Sequence, residues 1–119
     1  MDSDPIFSIV ITSYNYGHFL ANALESVFLQ NRSDIQILLI DDASTDDTPQ
    51  IAQKYHEHIQ YVRNEKNLGA GGAWAVGLKL AHGKYLIKLD ADDELGPDKI
   101  ANQVAALEKH QDLSIFYRN

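Results

Sequence analysis

The feature that most restricts the fold of this chain is a strict alternation of short apolar runs with longer stretches of helical period. Ile6 to Ser13 reads I-F-S-I-V-I-T-S, rich in β-branched residues and nearly continuously apolar, as a strand buried on both faces requires. Leu20, Ala23, Leu24, Val27 and Phe28 then recur at i, i+3, i+4, i+7 and i+8, the stripe of an amphipathic helix. Ile35 to Ile40 predicts a second strand. Thr48-Pro49 reads as a helix cap and first-turn proline, with Ile51, Ala52 and Tyr55 inward. Ile59 to Arg63 predicts a third strand. After it comes a small-residue helix with the stripe Ala73, Trp74, Gly77, Leu78 and Ala81, stopped by Gly83. Tyr85 to Leu89 predicts a fourth strand, and Pro97 opens a helix with Ile100, Val104 and Leu107 inward. Leu113, Ile115 and Tyr117 alternate in a fifth strand.

This order, βαβαβαβαβ with short connections, predicts an α/β fold. Its sheet is mostly parallel and doubly wound, with right-handed crossovers and helices on both faces. Such sheets bind ligands beyond the carboxyl ends of their strands, near the point where strand order reverses.

Composition excludes several classes of function. A length of 119 residues fits one domain, and the absence of Cys removes disulfide scaffolds, Cys-ligated zinc and thiol catalysis. With 17 Asp+Glu against 10 Lys+Arg and a net charge of −7, no nucleic-acid partner is expected. No run approaches the roughly 20 apolar residues of a membrane span, and no signal peptide opens the chain, so a cytoplasmic domain is expected. The acid is also unevenly placed. Eight of the 17 carboxylates fall in two stretches, Asp41 to Asp47 and Asp90 to Glu94, each directly after a predicted strand.

In an extended segment residues i and i+2 share a face, so Asp90 and Asp92 can point at one place. Neither stretch contains a Lys or Arg to neutralise it. A hard divalent cation relieves such repulsion and matches oxygen ligands, and Mg²⁺ or Mn²⁺ usually completes its shell with water and a substrate's phosphates. The competing reading is turn and cap chemistry, which is strongest at Asp46 and Asp47. Other motifs fall away. Gly69 to Trp74 starts like a dinucleotide fingerprint but has Trp74 at the third glycine, and Gly77 to Lys84 lacks P-loop spacing. His56 and His58 do not share a helix face.

The chain resembles the N-terminal half of family 2 glycosyltransferases, whose catalytic domain has the GT-A, Rossmann-like fold. The matching pieces are S-I-V-I-T-S-Y-N from Ser8, S-V-F-L-Q ending at Gln30, I-L-L-I-D-D-A-S-T-D-D-T from Ile37, N-L-G from Asn67 and G-K-Y-L-I-K-L-D-A-D-D from Gly83. They occur in family order and spacing. The resemblance implies a nucleoside-diphosphate sugar as donor, with a UDP-sugar as first choice. Thr12 and Tyr14 match the strand edge that receives base and ribose. Asp42 matches the carboxylate that accepts a hydrogen bond from the base, with Asp41 beside it. Asp90 and Asp92 match the metal-binding D-x-D, Asp92 as direct ligand and Asp90 nearer the ribose, with Asp93 as a second ligand. The implied reaction is metal-assisted transfer with inversion to a saccharide or lipid-linked acceptor.

Two departures accompany the match. Trp74 and Ala75 stand where the family pattern has an Arg-Asn pair, and Trp74 reads as core. The family domain also continues well beyond its D-x-D. Residues 1–119 are therefore expected to be one nucleotide-sugar-binding subdomain, truncated from a longer enzyme, with the catalytic base unassigned. The full-length protein could sit at the inner face of the membrane. Two other readings stand beside this one: a phospho-acceptor receiver domain, which has the same size and alternation, and a nucleotide-binding module without turnover, which Trp74 and the unassigned base suggest. A receiver would place its acidic pair after the first strand and its phosphorylated Asp after the third, where this chain has Thr12-Ser13-Tyr14 and Arg63-Asn64.

Overall fold

The computed structural model describes residues 5–109 and 117–118. Its elements run β1 (Phe7–Ser13), α1 (Gly17–Phe28), β2 (Ile35–Asp41), α2 (Thr48–Lys54), β3 (Gln60–Arg63), α3 (Gly69–Leu80), β4 (Tyr85–Asp90), α4 (Lys99–Lys109) and β5 (Tyr117–Arg118). The strands form one sheet in the order β3-β2-β1-β4-β5. β1 pairs in parallel with both β2 and β4, and β2 in parallel with β3. The chain thus winds outward from β1 to β3, then crosses back to lay β4 on the other side of β1. That reversal is the switch point.

Alternation along each strand divides the core into two layers. Phe7, Ile9 and Ile11 of β1 meet Leu20, Ala23, Leu24 and Val27 of α1, Ala52 of α2 and Ile100 of α4. Val10 of β1, with Leu38 and Ile40 of β2, packs instead under Ala73 of α3. Each large side chain removed from water on these faces contributes roughly 1.5–3 kcal/mol. The α1 stripe is the one its spacing predicts. In α3 the stripe is made of small residues because the helix lies close to the sheet, with Ala73 and Gly77 buried and Trp74 half-buried.

Sequence and structure differ at the far edge. β5 pairs antiparallel with β4, Tyr85 opposite Arg118 and Leu86 opposite Tyr117, where alternation predicted a parallel strand. An antiparallel edge strand on a parallel sheet is common, and a two-residue pairing has too little length for a sequence pattern to report its direction. Leu113 and Ile115 lie outside the described residues, as does the side chain of Leu107. No helix among the described residues is long and apolar enough to cross a membrane.

Candidate functional site

At the switch point β1 and β4 end side by side, Thr12 opposite Asp90. A crevice of about 450 Å³ opens there, lined by β1 and its following loop (Thr12, Ser13, Tyr14, Tyr16), by Asp42, by the start of α3, and by Asp90 and Asp92. A larger hollow of about 760 Å³, under Val27, Phe28 and Ile35, gathers none of the predicted site residues.

The two neighbouring carboxylates at the end of β2, Asp41 within the strand and Asp42 just after it, have different surroundings because successive residues face opposite ways. Asp41 is fully buried. Its Oδ1 accepts the Ser44 N–H at 2.9 Å, and its Oδ2 accepts the Tyr61 hydroxyl at 2.5 Å and Arg63 Nη1 at 3.0 Å. It does not line the crevice. Its role in these contacts is to join β2, β3 and the loop after β2. Ser44 carries the tie further, its Oγ accepting the Asn15 N–H at 2.9 Å. Asn15 holds φ at 57°, in the left-handed region that Asn tolerates. The loop that presents Tyr14 is thereby fixed to the end of β2.

Asp42 follows the strand and turns toward α3. Its Oδ1 accepts Asn64 Nδ2 at 2.9 Å and the Leu68 N–H at 2.8 Å, and its Oδ2 accepts the Gly69 N–H at 2.9 Å. A carboxylate offers about four acceptor positions. Three are taken by this loop, and one is left for a donor in the crevice that Asp42 lines.

On β4, Asp90 is oriented by Thr12, whose Oγ1 donates to Oδ1 at 3.2 Å. Asp90, Asp92 and Asp93 are all exposed, and each offers a carboxylate oxygen within 4.8 Å of the others'. This all-oxygen donor set fits a hard divalent cation. Asp90 and Asp92 face the crevice, whereas Asp93 lines the adjoining hollow with Glu94 and Lys99. Ser13 is 2% exposed and its Oγ has no partner among the described residues, which leaves a buried hydroxyl at the crevice wall. Ser13, Tyr16, Asn67, Gly69, Ala70 and Ala73 also line the crevice without matching any predicted site position. Asn67-Leu68-Gly69 was the available signal, since Asp42 gathers its backbone.

The second half of the first acidic stretch is turn chemistry. Asp46 Oδ2 accepts the Gly17 N–H at 2.9 Å, while Oδ1 accepts the Thr48 N–H at 3.0 Å and the Thr48 hydroxyl at 2.6 Å. Burial alone would raise its pKa, but the bonds from Thr48 and Gly17 outweigh this and hold it below the usual carboxylate value. Asp46 therefore links the starts of α1 and α2. Gly17 permits the approach, for a Cβ there would stand 2.5 Å from Asp47 Oδ1 and 2.9 Å from Asp46 Oδ2.

Burial, together with the Asp41 carboxylate that it donates to, pushes the Tyr61 hydroxyl up to about 12. An unfolded tyrosine titrates near about 10. The folded state therefore holds this proton more tightly, and the contribution is fully present below pH ~10 and lost as pH rises through about 12. The stability advantage of the wild type over Tyr61→Phe should accordingly shrink across that window. Urea midpoints of both proteins on a pH series measure it.

Comparison with known proteins agrees with this geometry. The profile of Glycosyl transferase family 2 matches residues 8–118. The Escherichia coli protein named UDP-Glc:alpha-D-GlcNAc-diphosphoundecaprenol beta-1,3-glucosyltransferase WfaP is 38% identical over 104 residues, covering 87% of this chain and 41% of that protein. The structure of S. aureus TarS 1-349 in complex with UDP-GlcNAc superposes with a TM-score of 0.83 at 28% identity, covering 88% of this chain and 32% of that one. Mannosyltransferase PcManGT from Pyrobaculum calidifontis, in complex with GDP-Man and Mn²⁺, gives 0.80 at 25% identity, covering 88% and 33%. The chain spans between 16% and 41% of the length of curated relatives that it matches. The receiver reading is not supported, since the carboxylates follow β2 and β4. Strand order, acidic rim and a profile match that runs through every strand of the sheet agree, and the chain belongs to glycosyl transferase family 2.

Proposed function

We propose that residues 1–119 are the donor-binding part of an inverting, metal-assisted glycosyltransferase, and that the switch-point crevice holds a nucleoside diphosphate sugar. The observation that carries this is the convergence of Tyr14, Asp42, Asp90 and Asp92, from three separate strand ends, on one crevice. Tyr14 is 46% exposed and offers a ring face on which a base can stack. Asp42, with its remaining acceptor position, takes an N–H from the base edge. Uracil and guanine both present such an imide-type N–H, and the neighbours' UDP-GlcNAc and GDP-Man include both bases. UDP is the nucleotide chosen for test. Thr12 holds Asp90 toward the ribose side, and Asp92 with Asp90 and Asp93 would hold Mg²⁺ or Mn²⁺. When bound, the cation supplies Lewis-acid stabilisation of charge on the leaving diphosphate. The acceptor is a saccharide or lipid-linked hydroxyl bound outside these residues.

Calorimetry of the chain with UDP, in Mn²⁺ and then in EDTA, tests the reading. UDP should bind more tightly with Mn²⁺, and Asp92→Ala should weaken the metal-dependent increment by about tenfold, the scale on which an added ion contact acts. Binding of UDP and GDP that is absent, or equal with and without metal, would overturn it.

A further inference from the structure

The crevice is one-sided in charge. Its lining includes the carboxylates of Asp42, Asp90 and Asp92 and no Lys or Arg. A cation at the acidic rim offsets part of a diphosphate's charge, and β4 brings a second positive group to the same face. Lys88 precedes Asp90 by two positions, so both side chains leave the sheet toward α3, about 7 Å apart along the strand. The pairing register places Lys88 beside Val10 and Asp90 beside Thr12. Val10 belongs to the layer under α3 and Thr12 to the crevice wall.

Lys88 does not lie loose on this face. Its Nζ sits 5.7 Å from the centroid of the Trp74 ring. Trp74 follows Ala73 directly and stands one helical turn after Ala70, and both alanines line the crevice. The ring and the ammonium on it therefore stand next to the crevice lining and not in it, and Lys88 itself borders the second hollow, with Asp93, Glu94 and Lys99. Lys88 is exposed and makes no ion pair among the described residues. Arg32 and Arg63 are in the opposite situation, each paired with an Asp. A cation resting on an aromatic face keeps its charge available, whereas one bound to a carboxylate is already neutralised.

We infer that Lys88 binds the diphosphate of the donor, with Trp74 as the platform that holds its ammonium beside the crevice. The inference rests on the donor-binding reading above and adds a residue to it. Lysine suits the task as a compact charge with three rotatable donors. The contact runs to phosphate oxygens and not to the base, so it strengthens binding of a diphosphate without touching recognition of the nucleoside.

The test is calorimetry of the intact chain in Mn²⁺ at fixed ionic strength, with UDP and uridine as ligands. Lys88→Met keeps the aliphatic stem over Trp74 and removes the charge, Lys88→Gln is a second neutral variant, and Lys88→Arg restores the charge. Each neutral variant should bind UDP about tenfold more weakly, the arginine variant should stay close to wild type, and uridine binding should be the same in all four proteins. The wild-type affinity for UDP should also fall more steeply with salt than that of Lys88→Met. Trp74 is the only tryptophan, so its emission reads the platform directly: UDP should change it and uridine should not. Wild type that binds UDP while the neutral variants bind it equally well would overturn the role of Lys88 alone. Equal weakening toward UDP and uridine would reduce Lys88 to a packing residue and overturn it too. Wild type that fails to bind UDP would overturn the donor-binding reading, and the role of Lys88 with it.

Discussion

Asp42→Ala should lose about 2–3 kcal/mol of stability and at least tenfold in affinity for UDP, both from one carboxylate. The stability loss follows from the groups it gathers. Asn64 Nδ2 and the backbone N–H groups of Leu68 and Gly69 all donate to it. Hydrogen bonds to a charged acceptor contribute roughly 1.5–3 kcal/mol each, but Leu68 and Gly69 are exposed enough for water to replace part of that loss. The affinity loss has two sources. The acceptor facing the crevice disappears, and the loop that brings Asn67, Gly69 and Ala70 to the crevice loses its anchor. Asp42→Asn separates them. It keeps the shape and one acceptor oxygen, so it should fold nearly as well while still binding UDP several-fold more weakly. Urea denaturation alongside calorimetry on both variants reads the two effects. A fully stable Asp42→Ala with wild-type affinity would contradict the account.

A large stability effect is expected from a small substitution at Gly83, between α3 and β4. A Cβ there would stand 2.5 Å from Ser8 N, 2.6 Å from Phe7 C and 2.7 Å from Ser8 Oγ. Two of those neighbours are backbone of the central strand, and they cannot swing aside as a side-chain tip can. The Gly83 N–H also donates to Ser8 Oγ at 2.7 Å, and Ser8 Oγ donates in turn to Gln36 Oε1 at 2.6 Å. Gln36 closes the arrangement by accepting the His82 N–H at 2.8 Å and donating to the Leu80 carbonyl at 3.1 Å. Gly83→Ala must push β4 away from β1 or break this network, and overpacking a buried backbone costs about 3 kcal/mol. Thermal denaturation should show a drop of several degrees, larger than that of an alanine at exposed Gly71, where no heavy atom lies within 4 Å.

Much of this architecture is legible in the sequence because burial leaves few choices. A strand such as Phe7–Ser13, buried at every position, must be internal, and the α1 stripe can face only the sheet. The acidic rim is legible for the same reason, since buried strands that end in Asp deliver them to one edge. What the sequence could not separate were neighbours. Asp41 and Asp42 differ by one step of alternation, and that step sends one to Tyr61 and Arg63 and the other to the crevice. Turn chemistry at Asp46 is legible, as its bonds to nearby Thr48 show, but its tie to Gly17, 29 positions away, is not. The direction of β5 is not legible, because βαβ alternation constrains internal parallel strands and a two-residue edge pairing can run either way. Lys88 stood within a family motif, yet its proximity to Trp74 depends on how close α3 lies to β4.

The bond from Thr12 to Asp90 joins residues 78 positions apart. Everything between them, from α1 through α3, has to be in place before the two strand ends meet. β1, β2 and β3 follow one another in the chain and can associate early, but the pairing of β1 with β4 closes the longest loop in the parallel sheet and comes at the greatest entropic cost. The crevice lies on that seam. A chain in which β1 and β4 had not paired would have helices and part of a sheet but no crevice between those strand ends, so the proposed binding of a nucleotide would report that this pairing is complete.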